Sequence, residues 1–155
     1  MILVYFTDTE MANTGLMHGV VKICADGMLV CTDAFPAQAC HYDMHMADFM
    51  QRMCGYNIFD THQLNLLGCT PVRVRMHYND DIAVKDDAPV NRVATALLRE
   101  TLPYWPEDVR GDVLITGIDD SGDPVPLDVE TAKTLQRICL MYYNLLMRGT
   151  SVTSV

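Results

Sequence analysis

The stretch from Arg73 to Leu127 constrains the fold most, because its apolar residues change period twice within a short run. Val72, Val74 and Met76 alternate with Arg73, Arg75 and His77, the period of a half-buried strand. Asn79-Asp80-Asp81 breaks the run, and Ile82-Ala83-Val84 gives a short second strand stopped by Asp86-Asp87. The expectation is a strand–turn–strand pair. Pro89 stands where a helix can begin without its N–H. Val90, Val93, Ala94, Leu97 and Leu98 then recur on one helical face, which puts a helix over Val90–Glu100. Thr101 and Pro103 end it, since proline cannot continue the backbone bonds. Val113-Leu114-Ile115, between Gly111 and Gly117, reads as a buried strand. Asp119-Asp120-Ser121-Gly122-Asp123 is a tight turn. Its Asp119, Asp120 and Asp123 are candidate interaction residues, but their spacing fails the calcium loop of an EF-hand, which needs alternating ligands and a bidentate Glu.

Four short motifs in this region go together: Met53-Cys54-Gly55-Tyr56, Asn79-Asp80-Asp81, Pro89-Val90-Asn91-Arg92-Val93-Ala94-Thr95 and Gly111-Asp112-Val113-Leu114-Ile115-Thr116-Gly117. Over roughly Phe49 to Leu135 the chain resembles a family of small domains of unknown function found in bacteriophages and large DNA viruses. The family pattern has a hydrophobic helix ending in Gly-Gly-Tyr, where Cys54 here replaces one glycine. A turn, a Pro-x-Asn-x-x-Ala-Thr/Ser helix start and a Gly-bounded hydrophobic strand follow. The resemblance implies a viral or phage accessory protein, and it offers no catalytic residue to carry over.

At 155 residues the length suits one domain, long enough to bury most of its apolar surface. Half the residues are hydrophobic, which excludes a disordered chain. No apolar run reaches membrane-span length. Met1 to Phe6 lacks a basic region before its apolar run, so it reads as a strand over Ile2–Thr7 and not as a signal peptide. Six cysteines occur without a Cys-x-x-Cys pair, mostly within apolar runs. Reduced thiols in a cytosol-like compartment, the host cytoplasm for a viral protein, are the expectation. The net charge is −9, but it is uneven: 13 acids and 4 bases lie between Asp80 and Glu130, and 3 bases and no acid after it. The overall balance argues against direct nucleic-acid binding. It suits solubility, or an acidic surface that engages a basic host protein.

The remaining elements follow from local chemistry. Val20–Ala25 and Met28–Thr32 form a hairpin around Asp26-Gly27, a turn pair that tolerates positive φ. Pro36–Cys54 is expected to be a helix with Tyr42, Met46, Phe49, Met50 and Met53 on one side and Gly55 as its left-handed cap. Ile58–Leu67 is ambiguous between strand and loop. A closing helix spans Val129–Arg148 with Asp128 as N-cap. Ala132, Leu135, Ile138, Cys139, Tyr142, Leu145 and Leu146 line its main face, and Leu140, Met141 and Tyr143 widen the apolar surface further. That surplus needs cover from the N-terminal hairpin or from a partner, and a homodimer is the simplest partner.

One constellation suggests metal chemistry. His41 and His45 are spaced i, i+4 on the first expected helix, side by side and able to chelate a transition metal. No Glu follows His41, as a metalloprotease requires, and Asp48 and Arg52 extend the stripe as a polar, solvated face. Nucleotide-binding glycine motifs and a nucleophile elbow are absent from the sequence. Asp112, Asp119 and Asp120 are possible paired carboxylates. The expectation is a single α+β domain over residues 1–149, with an antiparallel or mixed sheet packed by three helices and a frayed tail at 150–155. Three functions remain open: a non-catalytic interaction protein without cofactor, a metal-dependent enzyme using His41 and His45, and a self-assembling structural protein.

Overall fold

Val113–Ile118 is apolar on both sides because it is a central strand with helices on each face of the sheet. The computed structural model describes residues 4–5, 19–32, 35, 44–67, 71–81 and 86–148. The strands are β1 (Val4–Tyr5), β2 (Val20–Ile23), β3 (Leu29–Thr32), β4 (Phe59–Leu67), β5 (Pro71–Asn79), β6 (Val113–Ile118) and β7 (Pro124–Val125). The helices are α1 (Met44–Cys54), α2 (Arg92–Thr101) and α3 (Val129–Tyr143), the last continued by a π turn over Asn144–Arg148. The strand order is β1-β3-β2-β6-β5-β4, with β7 paired to the end of β6. All pairings are antiparallel except β1 with β3, so the fold is α+β with a mixed sheet.

Strand alternation sorts the side chains into two layers. Val21, Ile23, Val74, Met76, Val113 and Ile115 bury one face of the sheet against α2 and α3. Val93, Ala94, Leu97 and Leu98 come from α2, and Ala132, Leu135, Ile138 and Cys139 from α3. Val20 and Leu114 face the other way and pack with Met46, Phe49, Met50 and Tyr56 from α1 and the turn after it. Each fully buried aliphatic side chain stabilises the fold by roughly 1.5–3 kcal/mol.

Several expectations change on folding. Pro71–Asn79 pairs along its length with Phe59–Leu67, the stretch that had no clear assignment. Among the described side chains of β4, Leu64 and Leu66 are buried and Phe59 is half-buried against the α1 layer, while Thr61, Gln63 and Asn65 on the Phe59 side are polar, as suits an edge strand. Two of its outward N–H groups are nonetheless satisfied: Thr61 donates to Asp60 Oδ1 at 2.8 Å and Asn65 to Thr101 Oγ1 at 3.0 Å. The second strand expected at Ile82–Val84 lies outside the described residues. The expected helix Pro36–Cys54 is described from Met44, and the rest of it falls outside.

The helix expected from Val90 starts two residues later. Asn91 is its N-cap, with Oδ1 accepting from the Ala94 N–H at 3.0 Å. The predicted hairpin, the left-handed Gly55 (φ +84°) and the Asp128 N-cap are all present.

Candidate functional site

Within the Asn91 motif, the polar groups of the buried Asn91 and Thr95 side chains are committed to structure. Asn91 is fully buried, and its Nδ2 donates to the Ile23 and Gly111 carbonyls, both at 2.9 Å. Thr95 Oγ1 donates to the Asn91 carbonyl at 2.7 Å and accepts from the Val109 N–H at 2.9 Å. The Pro-Val-Asn-Arg-Val-Ala-Thr sequence therefore ties the start of α2 to β2 and to the loop before β6.

His41 lies outside the described residues, as does the side chain of His45, which sits in the first turn of α1. Asp48 is exposed, and Arg52 lies over the Phe49 ring at 5.7 Å. Among the described residues no group of three His, Cys, Asp or Glu could hold a metal.

Asp112 stands at the start of β6 and Asp119 just past its end, roughly 20 Å apart along an extended strand. They therefore form no carboxylate pair. Asp112 accepts from the Ala25 N–H at 2.9 Å and lies 3.4 Å from Lys22 Nζ, while Tyr56 donates its hydroxyl proton to the Asp112 carbonyl. A cleft of about 370 Å³ beside it is lined by Cys54, Tyr56, Asn79, Asp87 and Gly111 among others. Burial pushes the Cys54 thiol up to about 12, Cys31 up to about 12 and Cys24 up to about 11, and it raises Cys139 as well. These four thiols stay protonated at neutral pH and are weak nucleophiles. Cys40 and Cys69 lie outside the described residues.

The acidic residues fall into separate groups. Asp119 Oδ1 accepts from the Ser121 and Asp123 N–H groups, both at 2.9 Å, so Asp119 organises the β6–β7 turn in which exposed Asp120 also sits. Asp60 and Asp80 lie near Tyr78, whose phenol is pushed up by burial and then by Asp60. From the register, Asp119 is level with the first residues of β5 and Asp80 follows its last, roughly 25 Å apart.

Among the described residues the exposed large hydrophobic side chains are Ile58, Tyr104, Leu140, Met141 and Leu145, and the last three belong to the closing helix and its π turn. Tyr143, expected among its surplus apolar residues, is buried: its ring packs on Gly27, where an added Cβ would lie 2.5 Å from it. The turn of the β2–β3 hairpin thus covers that part of α3. Leu140 and Met141 remain exposed at 45% and 47%. Leu145, expected on the buried face, is exposed at 65%. The cause is the π turn, which is wider than an α turn and so advances each residue by less than about 100°. Leu145 therefore stays on the outer side with Met141. Leu146 turns to a groove of about 500 Å³ between α2 and the π turn, lined also by Val90, Arg92, Ala96 and Arg99. Periodicity alone missed the Leu145 position, since nothing in the sequence marks the π turn.

Comparison of the chain with protein-family models, curated proteins and solved structures finds no match. Among the described residues no helix is long and apolar enough to cross a membrane.

Proposed function

We propose that this protein is a non-catalytic interaction module, a viral or phage accessory protein that works in the host cytoplasm by binding another protein. The reading rests on one observation. Leu140, Met141 and Leu145 form an exposed apolar strip at the end of a helix whose opposite side is in the core. Clustered apolar residues of this kind mark contact surfaces on folded domains. Metal chemistry at His41 and His45 and self-assembly through α3 are the alternatives.

The test compares capture from host lysate by the wild-type chain and by a Leu140→Glu/Leu145→Glu variant whose fold is verified by circular dichroism. A species held by the wild type and lost from the variant supports the proposal. Identical capture by both removes the strip from consideration. One equivalent of zinc, nickel or manganese in the purified protein, lost in a His41→Ala/His45→Ala variant, would favour the enzyme instead.

A further inference from the structure

We propose that the outer face of α3 takes an acidic, amphipathic segment of a different protein and not a second copy of this chain. The inference rests on the interaction reading above and adds the chemistry of the partner. At about 100° per residue, Lys133, Arg137, Leu140 and Met141 share one side of the helix, and the π turn keeps Leu145 there too. Lys133 and Arg137 are exposed, one to two turns before the apolar strip. No described carboxylate pairs with either base, and Arg137 instead donates to Thr134 Oγ1 at 3.2 Å. The only acid on this side, Glu130, lies roughly 15 Å before Leu140 along the axis. Across the adjoining groove stands the exposed Arg92, while Arg99 is already paired with Asp108 at 3.4 Å.

This local excess of positive charge belongs to a chain of net charge −9 with no Asp or Glu after Glu130. That distribution decides between occupants. Two copies of α3 packed antiparallel about Leu140 and Met141 would cover the strip. They would set Arg137 level with Asn144 and place no acid opposite Lys133 or Arg137. The bases would lose hydration and face charges of their own sign, which costs affinity. A segment with apolar residues at helical spacing and flanking carboxylates matches both features at once.

The probes are two labelled amphipathic peptides with the same leucine stripe, one carrying glutamates at the flanking positions and the other lysines. Binding is followed by fluorescence anisotropy, and the chain is also run by sedimentation over a concentration series. The glutamate peptide is expected to bind, weakening about tenfold or more in a Lys133→Glu/Arg137→Glu variant and at raised salt. It should be lost from Leu140→Ser/Met141→Ser/Leu145→Ser, while the lysine peptide stays unbound. Equal binding of both peptides overturns the acidic-partner inference and leaves the interaction reading standing. So does self-association through the strip that the glutamate peptide fails to dissociate. If neither peptide binds and the chain is a monomer throughout, both the inference and the reading beneath it fall.

Discussion

Asn91 shows how closely a single side chain can be specified. Its Oδ1 must accept from Ala94 and its Nδ2 must donate to two carbonyls, so amide and carboxylate are not interchangeable here. Aspartate caps exposed helices as well as asparagine does. In this pocket Asn91→Asp would aim a carboxylate at the Ile23 and Gly111 oxygens. Asn91→Ala should cost about 3 kcal/mol, from the lost cap and the two stranded carbonyls. Asn91→Asp should cost at least as much, and urea denaturation measures both. An Asn91→Asp stability close to wild type would show the network to be misread.

His77 makes a pH prediction. It is fully buried, its Nε2 is 3.0 Å from Thr116 Oγ1, and burial followed by the Arg75 charge pulls its pKa down to about 3. Between that value and about 6.5 the unfolded chain binds the proton and the folded chain does not. The contribution is fully present above about pH 6.5 and is lost as pH falls toward 3. The stability gap between wild type and His77→Gln should therefore narrow by about 2 kcal/mol from pH 7 to pH 5. A gap that stays constant across that range would mean that His77 is not held neutral.

At the scale of elements, the β2–β3 hairpin and α3 are joined by the contact between Gly27 and the Tyr143 ring. Gly27 has φ +94°, and any Cβ there would meet the ring, so Gly27→Ala combines backbone strain with a clash. A loss of about 2 kcal/mol or more is expected. In a Tyr143→Ala background the clash disappears, and the same substitution should cost only the strain. A double-mutant cycle in thermal or urea unfolding reads the coupling, and strict additivity would argue against the packing. The helix itself divides by side. Met141→Glu should leave stability within about 0.5 kcal/mol, as for an ordinary surface change, whereas Leu135→Glu places a charge in the core and should unfold the chain.

For the whole molecule, the question is whether the chain is complete in itself or pairs through α3. A symmetric pair remains the simplest way to cover Leu140, Met141 and Leu145, but the bases beside them weigh against it. Sedimentation should give a species near 17.4 kDa at every concentration. A shift to twice that mass, abolished by Met141→Glu, would restore the homodimer. Thiol titration bears on the compartment. All six cysteines should react after denaturation of protein kept reducing, with Cys31 and Cys139 silent in the native state because both are buried. A denatured count of two or fewer would overturn the reducing assignment.

The elements whose signals are local can be read from the residue order alone. The Asp26-Gly27 hairpin, the apolar run of β6, the α2 stripe and the Asp128 cap can be read within a few residues, because turn chemistry and side-chain period act at that range. The α+β class followed from their order. Which strand lies beside which is set by long-range pairing. β5 pairs with a preceding strand of mostly polar residues, which have no apolar period to announce it and are strands because β5 supplies their hydrogen bonds. The candidate site divides in the same way. Leu140 and Met141 stood out as surplus apolar residues, but the burial of Tyr143 depends on a hairpin more than 100 residues away. The exposure of Leu145 depends on a π turn. The first outcome comes from packing between distant segments and the second from a local change of helical repeat, and α-helical periodicity encodes neither.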